Sequence, residues 1–145
     1  MRATVLCLLL LTGVTARAEQ IPVREIVAPI SPRLAWLASL QGSVSMELEI
    51  DRKGKVQFLK ASGADPLLLK ASEKNIRLWT FGPFAEGTAF PVRLKVQYAY
   101  RFEGEPDDKF LPPRVVITIP DRVEIVVRPP KPMCVLYRDK PVAHL

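Results

Sequence analysis

Histidine, cysteine and glycine are all scarce in this 145-residue chain. The one histidine, His144, stands beside the C-terminus, so a Ser-His-Asp or Cys-His arrangement would rest on a residue in a terminus that frays. The two cysteines, Cys7 and Cys134, give no metal-ligand spacing, and the seven glycines form no phosphate-cradling loop. No catalytic residue, metal site or cofactor is therefore assigned. Glu47 and Glu49 point the same way from one strand, but they read better as its polar side, with Arg93 and Lys95 as cross-strand partners, than as an acid-base pair. Charge of one sign is not concentrated anywhere. Lys and Arg are scattered among acids instead of gathered in runs with interleaved aromatics, which argues against nucleic acid as a partner.

What is present begins with an export signal. Arg2 supplies a positive start, Val5 to Leu11 is an unbroken apolar run, and Ala16-Arg17-Ala18 offers small residues where a signal peptidase reads. Even stretched from Ala3 to Val14, the run falls well short of the roughly 20 residues that cross a bilayer, so no membrane span is expected after cleavage at Ala18. Cys7 lies inside the run, not at its end, which is the wrong place for a lipid attachment. Removal of residues 1–18 leaves 127 residues starting at Glu19, enough for one domain with a small core. Arg2 and Arg17 leave with the signal, so 19 of the 21 basic residues remain against 15 acidic ones, a net charge of +4. Cys134 then has no partner within its own chain, and is buried, free, or paired between chains. The expected location is the periplasm.

Proline divides the remainder. Six of fourteen prolines precede residue 100 and eight fall in the last forty positions, which separates a domain over 19–105 from a Pro-rich tail over 106–145. In the domain, Ser31-Pro32 predicts a capped helix over Arg33 to Leu40. After Gly42, the alternation of Val44, Met46, Leu48 and Ile50 with Ser45, Glu47 and Glu49 predicts a half-buried strand. Asp51 to Lys55 supplies turn chemistry, with Gly54 placed for a positive φ, and Val56 to Ala61 returns as a second strand. Asp65-Pro66 starts the main helix, whose inward stripe is Leu68, Ala71, Ser72 and Ile76, with Trp79 as core. Val92 to Phe102 alternates over a long third strand. In the tail, Val115 to Ile119 and Val123 to Val127 flank Pro120-Asp121-Arg122, a hairpin signal spanning about 114–128. Such β-branched runs aggregate if left exposed, so the hairpin is expected to pack on the domain, against either the third strand's free edge or the surface around Trp36 and Leu37.

Three blocks of residues resemble one family, the C-terminal domain of TonB-type energy transducers. Pro32-Arg33-Leu34-Ala35 running into Leu40-Gln41-Gly42-Ser43-Val44 is similar to that family's opening helix and Gly-led strand. Ile50-Asp51 with Gly54-Lys55-Val56, and Ser62-Gly63 with Asp65-Pro66-Leu67-Leu68, resemble its hairpin turn and its approach to the main helix. Trp79-Thr80-Phe81-Gly82-Pro83 resembles the W-x-F-x-P that ends that helix, and Pro91-Val92 with the strand to Phe102 its last strand. The resemblance implies an α+β fold: a three-stranded antiparallel sheet with two helices on one face, the first strand central and the third at an edge. To this the tail adds its hairpin. It also implies binding of an extended partner peptide by strand addition, with outer-membrane receptors as the family's partners. The third strand, with Arg93, Lys95, Gln97, Ala99 and Arg101, is the expected partner-binding edge.

The chain departs from the family in two respects. Only a dozen residues separate Ala18 from Pro32, with no Pro-rich spacer, so coupling to an inner-membrane motor is not implied. Trp36-Leu37 places apolar residues where the family has charged ones. The expected activity is that of a periplasmic protein-binding module without catalysis. A minimal transducer with an uncleaved anchor, and a self-associating structural protein that pairs its edge with another copy, are the alternatives.

Overall fold

The computed structural model describes residues 21–63 and 65–132; the export segment, its cleavage point, Cys134 and His144 lie outside the described residues. The alternation after Gly42 becomes β2 (Gly42–Ile50) and that after Pro91 becomes β5 (Val92–Phe102), with Val44, Met46, Leu48 and Ile50 opposite Tyr98, Val96, Leu94 and Val92. Both strands turn these side chains to one face and their polar ones to the other, as a period of two requires. β2 continues through the Asp51–Lys55 turn into β3 (Val56–Gly63). That turn is built as its residue types suggest. Asp51 Oδ1 accepts from the N–H groups of Lys53 and Lys55, both at 2.9 Å, and these bonds hold the Asp51 carboxyl below its ordinary pKa. Gly54 takes φ +78°, where an added Cβ would overlap the Phe81 carbonyl oxygen.

The sheet has five strands, not three. β6 (Arg114–Thr118) and β7 (Arg122–Val127) are the tail's hairpin, and β7 pairs in parallel with β5, giving the order β3-β2-β5-β7-β6. The reason is burial: Val123, Ile125 and Val127 of β7 are almost wholly buried and extend the apolar face of the sheet. Two further short strands, β1 (Val23–Glu25) and β4 (Thr80–Phe81), form a separate antiparallel pair, too short to show any alternation.

Two helices cover the apolar face. α1 (Arg33–Leu37) is shorter than expected, since Ser39 takes φ +54° and turns the chain out of the helix. Ser31 is not its cap either; Pro32 occupies that position in an extended conformation, with no side-chain hydrogen bond. α2 (Pro66–Ile76) starts as expected, with Asp65 Oδ1 accepting from Leu67 N–H at 2.8 Å and Leu68 N–H at 3.4 Å. Its buried side carries Leu68, Ser72, Asn75 and Ile76, and the two polar members lock helix to sheet. Tyr98 OH donates to Asn75 Oδ1 at 2.6 Å, Ser72 Oγ and Tyr100 OH share a bond of 2.8 Å, and Asn75 Nδ2 donates to Val27 O at 2.8 Å. Trp79, fully buried, donates to the same Val27 carbonyl at 3.1 Å. Among the described residues no buried side-chain nitrogen or oxygen lacks a partner, which is what a polar network inside a core requires to be stabilising.

Candidate functional site

In a strand, N–H and C=O of one residue point to one edge and those of the next residue to the other. The N–H of Gln97 donates to Asp121 O at 2.7 Å, and that of Glu103 to Val127 O at 3.0 Å. Odd-numbered residues of β5 therefore aim their main chain away from β2, toward the tail. The expected binding residues Arg93, Lys95, Gln97, Ala99 and Arg101 are this set. The structure divides them in two. Gln97, Ala99 and Arg101 lie opposite Arg122, Glu124 and Val126 of β7, so their edge is occupied by the chain itself. Arg93 and Lys95 pair with β2 on one side but lie before the start of β7, so on the edge facing away from β2 no strand lies beside them among the described residues.

The side chains of the five lie on the polar face. Arg93 pairs with Glu49 at 3.3 Å and Lys95 with Glu47 at 3.4 Å, the cross-strand pairs expected of β2 and β5. Both cations are more than four-fifths exposed, so solvent screens the pairs and each contributes at most about 1 kcal/mol. Arg101 and Arg122 share Glu124 at 3.1 and 2.7 Å, a clamp across the β5–β7 junction. Beside the open end of the edge is a cleft of about 620 Å3 lined by Pro22, Pro83, Phe84, Ala89, Val92 and Arg93, among others. Val92 and Arg93 are the first two residues of β5, so the cleft lies at the start of the strand.

Both surfaces offered for the hairpin are used. While β7 takes the strand edge, Trp36 Nε1 donates to Arg128 O at 2.7 Å and its ring meets Phe110 at 5.4 Å between centroids. Trp36 is buried; Leu37 stays half exposed. Beyond β7 the chain is strapped to the loop before β6. Asp107 N–H donates to Pro129 O, Lys131 N–H to Asp107 O, and Lys131 Nζ to Asp108 at 2.7 Å. The Asp107 carboxyl is held below its ordinary pKa, mainly by the Lys109 N–H bonded to it, and Lys131 is held above its own by Asp108.

Sequence reasoning missed that β7 pairs in parallel, and that it begins only at Gln97 so that two residues of the edge stay open. The β-branched run announces a strand but carries no mark of its direction. Among the described residues no His, Cys, Asp and Glu cluster has the makings of a metal site, and no helix is long and apolar enough to cross a membrane.

Comparison with known families returns a match. The model of the family described as Gram-negative bacterial TonB protein C-terminal matches residues 28–103, just over half of the chain. The matched span holds α1, β2, β3, α2, β4 and β5, and ends just after β5, before the hairpin of β6 and β7. No curated protein matches the chain.

Proposed function

The chain belongs to the Gram-negative bacterial TonB C-terminal family, and from that premise we propose that this protein-interaction module is an exported periplasmic adaptor which receives an extended segment of a partner protein by strand addition at β5. Binding is the whole of its activity in this reading, with no chemical step. The observation that carries it is the edge of β5 itself. Over Gln97 to Phe102 this edge already holds an added strand, β7, in parallel register; over Arg93 and Lys95 no strand among the described residues takes its outward donors and acceptors, which leaves room for another. Main-chain bonds to those two residues would give affinity, and the adjoining cleft would select a side chain. An outer-membrane receptor peptide is the partner this reading favours. The transducer reading is weaker, because it needs residues 1–18 to remain as an anchor.

The test compares two substitutions at one position. Lys95→Pro removes the N–H that faces the free edge, a loss an edge position tolerates without unfolding, while Lys95→Ala removes only a solvated side chain. Capture of an envelope protein should be abolished by the first and kept by the second, with melting temperature unchanged in the second. Equal capture by both variants would rule out strand addition at this edge. A mature N-terminus at Glu19, read by sequencing of the protein recovered from the periplasm, is expected; an intact Met1 in the inner membrane after a high-salt wash would revive the anchored transducer.

A further inference from the structure

The hairpin that covers β5 creates a new outermost strand, and we propose that β6 pairs with β6 of a second copy about a two-fold axis at Val116, joining two five-stranded sheets into one. The Asp121 N–H donates back to Thr118 O at 3.2 Å, so Thr118, and with it Val116 and Arg114, aims its main chain at β7. Val115 and Ile117 therefore aim N–H and C=O outward, where no strand lies among the described residues. In an antiparallel pairing centred on Val116, Val115 lies opposite Ile117 of the copy, and the two exchange both bonds on each side of the axis. Pro113, which has no N–H, and the turn at Ile119 end the ladder, so this register uses the five strand residues and no others.

The side chains fit a second copy in that register. On the polar face Arg114 falls opposite Thr118 and Val116 opposite itself, so no like charges meet, and cross-strand repulsion is absent. Arg114 is already tied to Glu103 at 2.8 Å and Arg122 to Glu124 at 2.7 Å. On the other face Val115 meets Ile117, both half-buried. Val116, 42 % exposed, would be covered by its own copy. The opposite edge of the sheet, β3, carries Lys60, the kind of charge that blocks such pairing. This surface lies beyond β7, away from Arg93 and Lys95, and does not depend on the partner reading above. A five-residue ladder is small, so the dimer is expected to be weak and concentration-dependent.

Two measurements on the chain from Glu19 to Leu145 test it. Sedimentation velocity from low micromolar to millimolar loading should show a monomer–dimer equilibrium that Val116→Lys weakens by roughly tenfold or more, since it sets two ammonium groups across the axis. In a Cys134→Ser background, Val116→Cys should form a disulfide-linked dimer under air. The two Val116 residues would be a non-hydrogen-bonded pair with Cα atoms about 4.5 Å apart, within disulfide reach. A monomer at every concentration, a dimer indifferent to Val116→Lys, or a disulfide yield from Val116→Cys no greater than from Leu78→Cys at an exposed position, would each overturn the proposal.

Discussion

Replacing Ile125 with alanine asks whether the hairpin is part of the domain's core or an appendage to it. Ile125 lies in the middle of β7 with no exposed surface, in register with Tyr100 of β5. The change deletes three carbons, worth about 2.4 kcal/mol of transfer energy at about 0.8 kcal/mol each. The residual cavity raises the cost toward the 2–5 kcal/mol typical of such deletions, so about 3 kcal/mol is expected. In a domain of this size that lowers Tm by roughly 10–20 °C. Two tryptophans report from different places. Trp36 touches the tail through Arg128 and Phe110, whereas Trp79 sits beside Val27 and α2. Urea unfolding would be followed in single-tryptophan variants, Trp79→Phe leaving the tail reporter and Trp36→Phe the core reporter. Both transitions should shift together by the same energy. A Trp36 signal that moves while the Trp79 transition stays in place would show that the hairpin unfolds by itself and refute its place in the core.

Tyr98→Phe strands Asn75 Oδ1 in the core and should cost about 1–3 kcal/mol by urea denaturation, whereas Lys95→Ala should be nearly neutral. Burial raises the pKa of both Tyr98 and Tyr100. Their contribution is therefore complete below the ordinary phenol pKa of about 10 and declines as pH rises above it, so a pH titration should show stability falling more steeply above about pH 10 in the native protein than in Tyr98→Phe. Gly54→Ala forces a side chain into positive φ and against the Phe81 carbonyl; a loss of at least about 2 kcal/mol is expected, and an unchanged Tm would mean the turn relaxes freely. Asp65→Ala, which removes the cap of α2, should cost about 1 kcal/mol in the same assay.

The parts of the fold that could be read from sequence are those with a repeating physical signal. The alternation in β2 and β5 fixed both strands and their buried faces, and Asp65-Pro66 marked the start of α2, because each pattern reflects local geometry. Of the two polar members of the buried α2 face, Ser72 followed from the helical spacing and Asn75 was harder. Asn75 would pass for a solvent-facing residue, and only the reach of Tyr98 across from β5 brings it inside. Ser31-Pro32 misled for a different reason: the capping pattern is present, but Pro32 takes the cap position and no side chain caps the helix, while Ser31 is buried. The candidate edge was identifiable as a strand and as a set of residues, yet its division at Gln97 was not. That division depends on where the turn at Pro120 and Asp121 lands against β5, a long-range contact that no local pattern encodes. Trp36 and Leu37 did signal a covered surface. Of the two, only Trp36 is covered, because its indole N–H finds the Arg128 carbonyl while Leu37 has no such tie.

In the proposed function, β5 accepts a partner's strand at Arg93 and Lys95 while β7 holds the rest of its edge. Photocrosslinking amino acids placed one at a time at Lys95 and at Ala99, in cells expressing the exported protein, test this most directly. The expected result is an adduct with an envelope protein from Lys95, lost when Arg93 is changed to proline, and no intermolecular adduct from Ala99, which lies beside Glu124. Adducts of equal yield from both positions, or no protein adduct from Lys95, would mean that β5 does not take up a partner's strand there.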